Sequence, residues 1–299
     1  MVGKYTKRLG MYGGFAKFDI VLAECAFFRY FMKVNSQPPK LKARQFVTDL
    51  ASRGIYHFTT SDLENTAGVS SVAARSALRR LAKNGDVVMP CRGFFLVLPP
   101  EYRTLGCLPA DQFVPDLMEH IGQPYYAALL TAAQYHGVAP QQPMRFQVMT
   151  TLNRRPINCG RVMVEFVAKH ELLGPTSLVN TKAGRLRISS AELTALDLVG
   201  YVNRAGGLDY VATLLSQLGA KLHPGMLADT ANLVPLPWVQ RLGYLLEVVG
   251  QKEVADSLRP LVRDANVRIA PLASGTTVKD APKNRDWMLA INTDVEPEL

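Results

Sequence analysis

The sequence predicts an α+β protein, an N-terminal winged helix-turn-helix followed by a larger mixed α/β C-terminal domain. Three observations lead to that class. Positive charge is concentrated at one end: residues 1–103 carry 16 Lys and Arg against 7 Asp and Glu, while the remainder carries 18 of each. Within that basic third the pattern reads helix, short helix, glycine turn, longer helix and apolar hairpin. Beyond it, apolar residues recur sometimes at helical and sometimes at strand spacing. The 299 residues, 48% hydrophobic and 20% charged, are those of a packed globular chain long enough for two domains. The net charge of +9 therefore belongs to one region, and a basic region joined to a neutral one points to a polyanion-binding domain beside a domain with a different task.

Met1 to Gly14 is a basic, Gly-containing terminus. Phe18–Val34 has helical character and a broad apolar surface from Ile20, Val21, Phe27, Phe28, Phe31 and Met32, which calls for burial on the next domain or a second subunit. Pro38-Pro39 ends it, so residues 1–36 form an arm and helix. Lys40–Arg53 reads as a helix, with Ala43, Phe46, Val47, Leu50 and Ala51 inward and Gly54 as its stop. Ile55–Phe58 is strand-like. Ser61 and Glu64 fit a capping box for a short helix to Ala67. Gly68-Val69 is a turn, Ser70 or Ser71 caps a helix to Asn84, and Val87–Pro90 with Phe94–Val97 form a hairpin around Cys91-Arg92-Gly93. That order over residues 37–104 is a winged helix-turn-helix.

A 100° step per residue separates the faces of its second helix. With Arg75 at 0°, Arg79 falls at about 40°, Lys83 at about 80°, Ser76 at about 100° and Arg80 at about 140°. Ala77, Leu81, Ala74, Leu78 and Ala82 fall between about 200° and 340°. Such a helix docks its apolar stripe inward and turns cations outward, either as an ordinary solvated face or as a surface for the major groove. The cap, turn and wing, with no acidic residue between Asn65 and Gly85, favour double-stranded DNA. Ser70 and Ser71 are then expected to contact phosphate or base edges at the helix start, and Arg75, Ser76 and Arg79 to read bases. Arg80, Lys83, Lys40, Lys42 and Arg44 are expected to hold the backbone, and Arg92 at the wing tip to enter a minor groove.

The remaining residues, 105–299, mix helices and strands. Asp116–Ile121, Tyr125–His136, Glu192–Asn203, Leu208–Leu218, Trp238–Val249 and Ala255–Val262 read as helices. Arg145–Leu152, Val162–Lys169 and Trp287–Ile291 read as strands, the last preceded by a weakly ordered stretch, Pro271–Lys283. No phosphate-loop, nucleophile-elbow or HExxH motif occurs, so no catalytic residue, metal site or cofactor is assigned and no enzyme is expected. Glu165 and Lys169 are the nearest approach to a nuclease-type pair, but they stand four apart and read as a charged strand edge. His136 reads as a helix C-terminal residue, and His57, His120 and His223 form no constellation. Cys25, Cys91, Cys107 and Cys159 have no CxxC spacing and are expected as reduced thiols in or near cores. Ile20–Phe31 is too short and too charged for a membrane span and lacks the features of a secretory signal, so the expected location is cytoplasmic, without membrane association.

With these elements in place, the chain resembles the AbiEi-family antitoxins over residues 40–295. The winged helix-turn-helix is followed by Leu196-Asp197-Leu198-Val199-Gly200-Tyr201, by Gly206-Gly207-Leu208-Asp209 and Leu214-Leu215, by Gln240-Arg241-Leu242-Gly243-Tyr244-Leu245-Leu246-Glu247, and by a terminal strand containing Trp287. Read from residues alone, Leu242, Leu245 and Leu246 face a core. The resemblance implies an N-terminal domain that binds inverted repeats in its own promoter and represses the operon. It implies a C-terminal domain that supports antitoxicity against a cognate nucleotidyltransferase-like toxin of a type IV toxin–antitoxin, phage-abortive-infection system. It also implies a monomer or dimer that binds its operator cooperatively. Phe18–Val34 is additional to the shortest members, and no role carries over to it. Two other readings compete: a nucleic-acid enzyme with a nuclease-like C-terminal domain, and a ligand-sensing transcription factor.

Overall fold

The computed structural model describes residues 42–138, 145–263 and 267–297. The expected arm and helix over 1–36, Cys25 and Lys40 lie outside them. The described chain opens with α1 (Ala43–Ser52), β1 (His57–Thr59), α2 (Thr60–Ala67), α3 (Ser71–Lys83), β2 (Val87–Cys91) and β3 (Phe94–Val97). Helix α1 buries Phe46, Val47 and Leu50, and α3 buries Ala74, Leu78 and Leu81, the apolar spacing that sets both helices on one core. The capping box falls two residues before the expected one. Thr59 is the N-cap and Asp62 closes the box, with Thr59 N donating to Asp62 Oδ2 at 2.7 Å. Ser61 and Glu64 fit the same pattern, but the helix starts directly where β1 ends, and Thr59 and Asp62 are the pair that closes the box. Gly68 sits in the left-handed region at φ +59° and turns the chain sharply from α2 toward α3.

The three short strands form an antiparallel sheet in the order β1-β3-β2, with His57 opposite Leu96 and Val87 opposite Val97. Pro90 falls where β2 slips register, on an edge strand that needs no further donor. All four residues of β3 are buried because both faces of the sheet are covered. Phe95 and Val97 join Phe46, Leu50, Leu63, Leu78 and Leu81 beneath the helices. Phe94 and Leu96 join Cys107, Leu108, Phe113, Leu117 and Ile157 from the rest of the chain. The winged unit and the larger part thus share a core.

The larger part holds α4 (Val114–Ile121), β4 (Tyr125–Ala127), α5 (Leu129–Tyr135), β5 (Phe146–Thr150), β6 (Ile157–Cys159), β7 (Val162–Ala168), β8 (Thr176–Thr181) and β9 (Gly184–Ser189). Next come α6 (Ala191–Gly200), α7 (Leu208–Leu218), α8 (Pro224–Ala231), α9 (Leu236–Val248), α10 (Lys252–Asp256) and α11 (Arg259–Arg263). The expected helix Tyr125–His136 is instead a strand followed by a helix. Tyr125, Tyr126 and Ala127 pair with Thr150, Met149 and Val148 at the centre of the sheet. The expected helix Ala255–Val262 is two short helices.

The strands make one six-stranded sheet, β6-β7-β5-β4-β9-β8, with parallel pairs β5–β7 and β4–β9. Val148, Val164 and Phe166 face the winged unit, while Tyr126, Met149 and Val167 face the helical layer of α6 to α9. Strand β10 (Ala270–Pro271), β11 (Lys283–Asn284) and β12 (Leu289–Ala290) form a small third sheet. The expected strand Trp287–Ile291 shrinks to β12, and Trp287 itself is a fully buried anchor. Strands β6, β8 and β9 and helix α8 were not among the expected elements.

Candidate nucleic-acid interface

The second helix of the pair, α3, is built as its sequence requires. Ser70 caps it, its hydroxyl accepting from Ala73 N at 3.4 Å. Ser71, Arg75, Ser76, Arg79, Arg80 and Lys83 are all exposed, as is Ser70. Among the described residues, none of Arg75, Arg79, Arg80 and Lys83 forms an ion pair with a carboxylate. Arg75 Nε donates to Ser71 O at 3.1 Å, which draws the guanidinium back over the first turn. Lys42 and Arg44 are exposed at the start of α1. They line one groove of about 510 Å³ with Ala73, Ala77, Arg80 and Asn84 of α3 and its C-cap. Two separate helices thereby bring Lys42, Arg44 and Arg80 to the same rim.

Arg92 is exposed in the β2–β3 turn but has a different setting. Its neighbour Cys91 packs into the core shared with the larger part, and Gly93 stands beside the His120 ring. The wing is therefore backed by protein along its inner face, with Arg92 and Met89 turned outward. Of the eleven residues expected in the interface, ten are described, and all ten are on the surface.

His57 and His120 have packing roles and flank Phe94. The His57 ring stacks on Phe94 at 5.8 Å, and Phe94 meets His120 at 5.3 Å. His57 Nδ1 lies 3.0 Å from Asp116 of α4, a bond between the winged unit and the larger part. That hydrogen bond raises the His57 pKa above its ordinary value, against the opposing effect of burial. Asp116 stands 59 positions away in sequence, beyond any local pattern.

Glu165 and Lys169 are corrected. Strand β7 lies between β6 and β5, not at an edge, and Glu165 is only 3% exposed. Its carboxylate is bound by Arg204, with Gln147 Nε2 at 3.4 Å and Arg145 at 3.9 Å. Lys169 turns instead to Asp197, 2.9 Å away, and to the Tyr126 hydroxyl at 3.1 Å. Tyr126 also donates to Asp197 at 2.9 Å. Burial pushes the Asp197 carboxyl up, and the Lys169 ammonium and the Tyr126 hydroxyl oppose that shift. Glu165 and Lys169 are each held by a different partner and form no joint site. His136 caps the end of α5 as expected, and Cys107 and Cys159 are buried free thiols.

A family model described as the AbiEi antitoxin C-terminal domain matches residues 126–248. A second, described as "Transcriptional regulator, AbiEi antitoxin", matches residues 45–97. The chain belongs to the AbiEi antitoxin family. No curated protein matches it. The crystal structure of the RV2827C protein from Mycobacterium tuberculosis matches it with a TM-score of 0.60 and 18% identity, over 85% of this chain and 92% of that one. That likeness speaks for the fold. Membership makes the AbiEi-family chain a DNA-binding regulator of antitoxin type. No helix among its described residues is long and apolar enough to cross a membrane.

The AbiEi signature residues prove to be packing devices. Leu242, Leu245 and Leu246 are buried in the main core, as expected. A Cβ on Gly243 would come within 2.1 Å of the Trp287 ring, so only glycine admits that indole against α9. Glu247 accepts the Trp287 N–H at 2.7 Å and is bound by Arg259. Gln240 and Arg241 donate to the carbonyls of Met288 and Pro271, both at 2.9 Å. The run locks the C-terminal segment onto α9, while Asp197 of the earlier run anchors Lys169 and Tyr126.

Proposed function

We propose that this AbiEi-family protein represses its own operon by placing α3 in the major groove of inverted repeats in the promoter. In this reading residues 37–104 are the DNA-reading domain. Ser70 and Ser71 meet phosphate or base edges, and Arg75, Ser76 and Arg79 read bases. Arg80, Lys83, Lys40, Lys42 and Arg44 hold the backbone, and Arg92 reaches a flanking minor groove. The observation that carries the reading is the face of α3: four cations, none with a carboxylate partner among the described residues, opposite the buried stripe of Ala74, Leu78 and Leu81. A structural surface helix of this length would ordinarily interleave acidic residues, and α3 has none.

Residues 105–299 form the second domain of the proposal, which antagonises a nucleotidyltransferase-like toxin of a type IV system and supports cooperative operator binding. Because β3 is packed from both sides, this domain orients the reader and sets the spacing between two copies on adjacent half-sites. The cell compartment consistent with this role is the cytoplasm. Gel-shift titration on the upstream promoter tests the DNA assignment. Arg75→Ala and Arg79→Ala are expected to weaken binding by about 1–3 kcal/mol each and to flatten sequence preference. Unchanged affinity and preference in both variants would sink it.

A further inference from the structure

We propose that Val72 reads thymine, by packing against the 5-methyl group of one base in the major groove. The inference rests on the assignment of α3 as the recognition helix and adds a base identity to it. Val72 is 69% exposed, more than any other large hydrophobic side chain among the described residues. The core beneath α3 takes Ala74, Leu78 and Leu81 from the helix and Val69 from the turn, but not Val72. The fold gives this valine no packing role.

Its position is specific. On the scale that sets Arg75 at 0°, Val72 falls at about 60°, between Arg79 and Lys83. It is therefore the apolar centre of the cationic face, in the first turn, where recognition helices bring side chains to base edges. Arg75, one turn on, bonds back to Ser71 O, which lies on its far side from the valine and leaves Val72 uncovered. A face of this composition suits a polyanion with a local apolar feature, because an apolar protein partner would have to desolvate the surrounding cations. Duplex DNA has one such feature in its major groove. Thymine alone presents a methyl group, whereas cytosine carries only a hydrogen at the same carbon and, beside it, an N4–H donor that valine cannot satisfy. Valine is also stiff about χ1, so holding it against a methyl costs little side-chain freedom.

The test uses the full chain and duplexes that it selects from a random pool. Each thymine of a selected site is replaced in turn by deoxyuridine, which removes the methyl group and leaves base pairing intact. One thymine per half-site is expected to show about a fourfold loss of affinity on replacement. In Val72→Ala that penalty is expected to disappear, with the melting temperature and oligomeric state unchanged. Equal affinity for thymine and deoxyuridine at every position overturns the inference while leaving DNA binding by α3 intact. Persistence of the penalty in Val72→Ala, or a change in that variant's oligomeric state, also overturns it. Failure to select any duplex overturns the DNA assignment itself.

Discussion

Helices α3 and α9 are each 13 residues long and each carries arginine, yet they use their polar side chains in opposite ways. On α9, Gln240 and Arg241 are bound to backbone carbonyls, Glu247 to Trp287 and Arg259, and Gly243 supplies the space for an indole. On α3 the cations have no carboxylate partner among the described residues, and a valine stands in water. A buried polar group must find its partner inside the fold. An exposed one left without a partner is available to something else. The contrast separates side chains that hold the fold together from side chains that the fold leaves unused, and substitutions can break it in either direction.

The largest effect is expected at α9. Gly243→Val places carbon atoms inside the Trp287 ring, and neither the helix nor the indole has room to retreat. A loss of about 3 kcal/mol or more in urea unfolding is expected, and DNA affinity should fall only as folded protein is lost. A variant of unchanged stability would show that the C-terminal segment is not locked there. A smaller effect is expected at the groove rim. Lys42→Ala combined with Arg44→Ala should leave the unfolding curve unchanged. The slope of log affinity against log salt should become shallower by about 0.9 for each phosphate that the two side chains neutralise. An unchanged slope would remove α1 from the interface.

The smallest effect is expected at the joint between the two regions. His57 has a folded pKa above its ordinary 6.5, chiefly through its hydrogen bond to Asp116, with Asp62 and Glu119 adding to the shift. Its stabilising contribution is therefore full below 6.5 and is lost as pH rises through the folded value. Because the ring is 42% exposed, solvent limits the pH-dependent part to about 0.5 kcal/mol or less. The melting-temperature gap between the parent and His57→Gln should narrow as pH rises from about 6 to about 9. A gap that widens over that range would show that the Asp116 bond is not what ties the joint.

The α3 side of the contrast is open to sequence reading because its signals are local. A capped 13-residue helix states its buried and exposed faces through spacing alone, and Gly68 marks the turn before it. Spacing puts the capping box two residues late because Thr59–Asp62 and Ser61–Glu64 both satisfy the pattern, and only the folded chain shows that Thr59 and Asp62 close it. Tyr125–Ala127 cannot be told from the helix after it, since a strand covered on both faces has no alternation to display. Strands β8 and β9 escape detection for the opposite reason, as exposed and polar residues interrupt them. Glu165 reads as a surface carboxylate until Arg204, 39 positions away, is folded against it. The exposed cations of α3 are legible as a set. Val72 does not stand out among them, because a lone valine carries meaning only once its exposure is known.

Strand β3 has a consequence for how such regulators can be taken apart. Phe94 and Leu96 would be stripped of cover in any fragment that ends at the wing, and a transplanted reader would bring a sticky apolar sheet face with it. DNA specificity in this chain is therefore not a detachable cassette. Exchange between relatives should succeed when α4 and the segment leading to it travel with the wing, and recombination points are better placed beyond Ile121 than at the boundary after residue 104 that the sequence suggests.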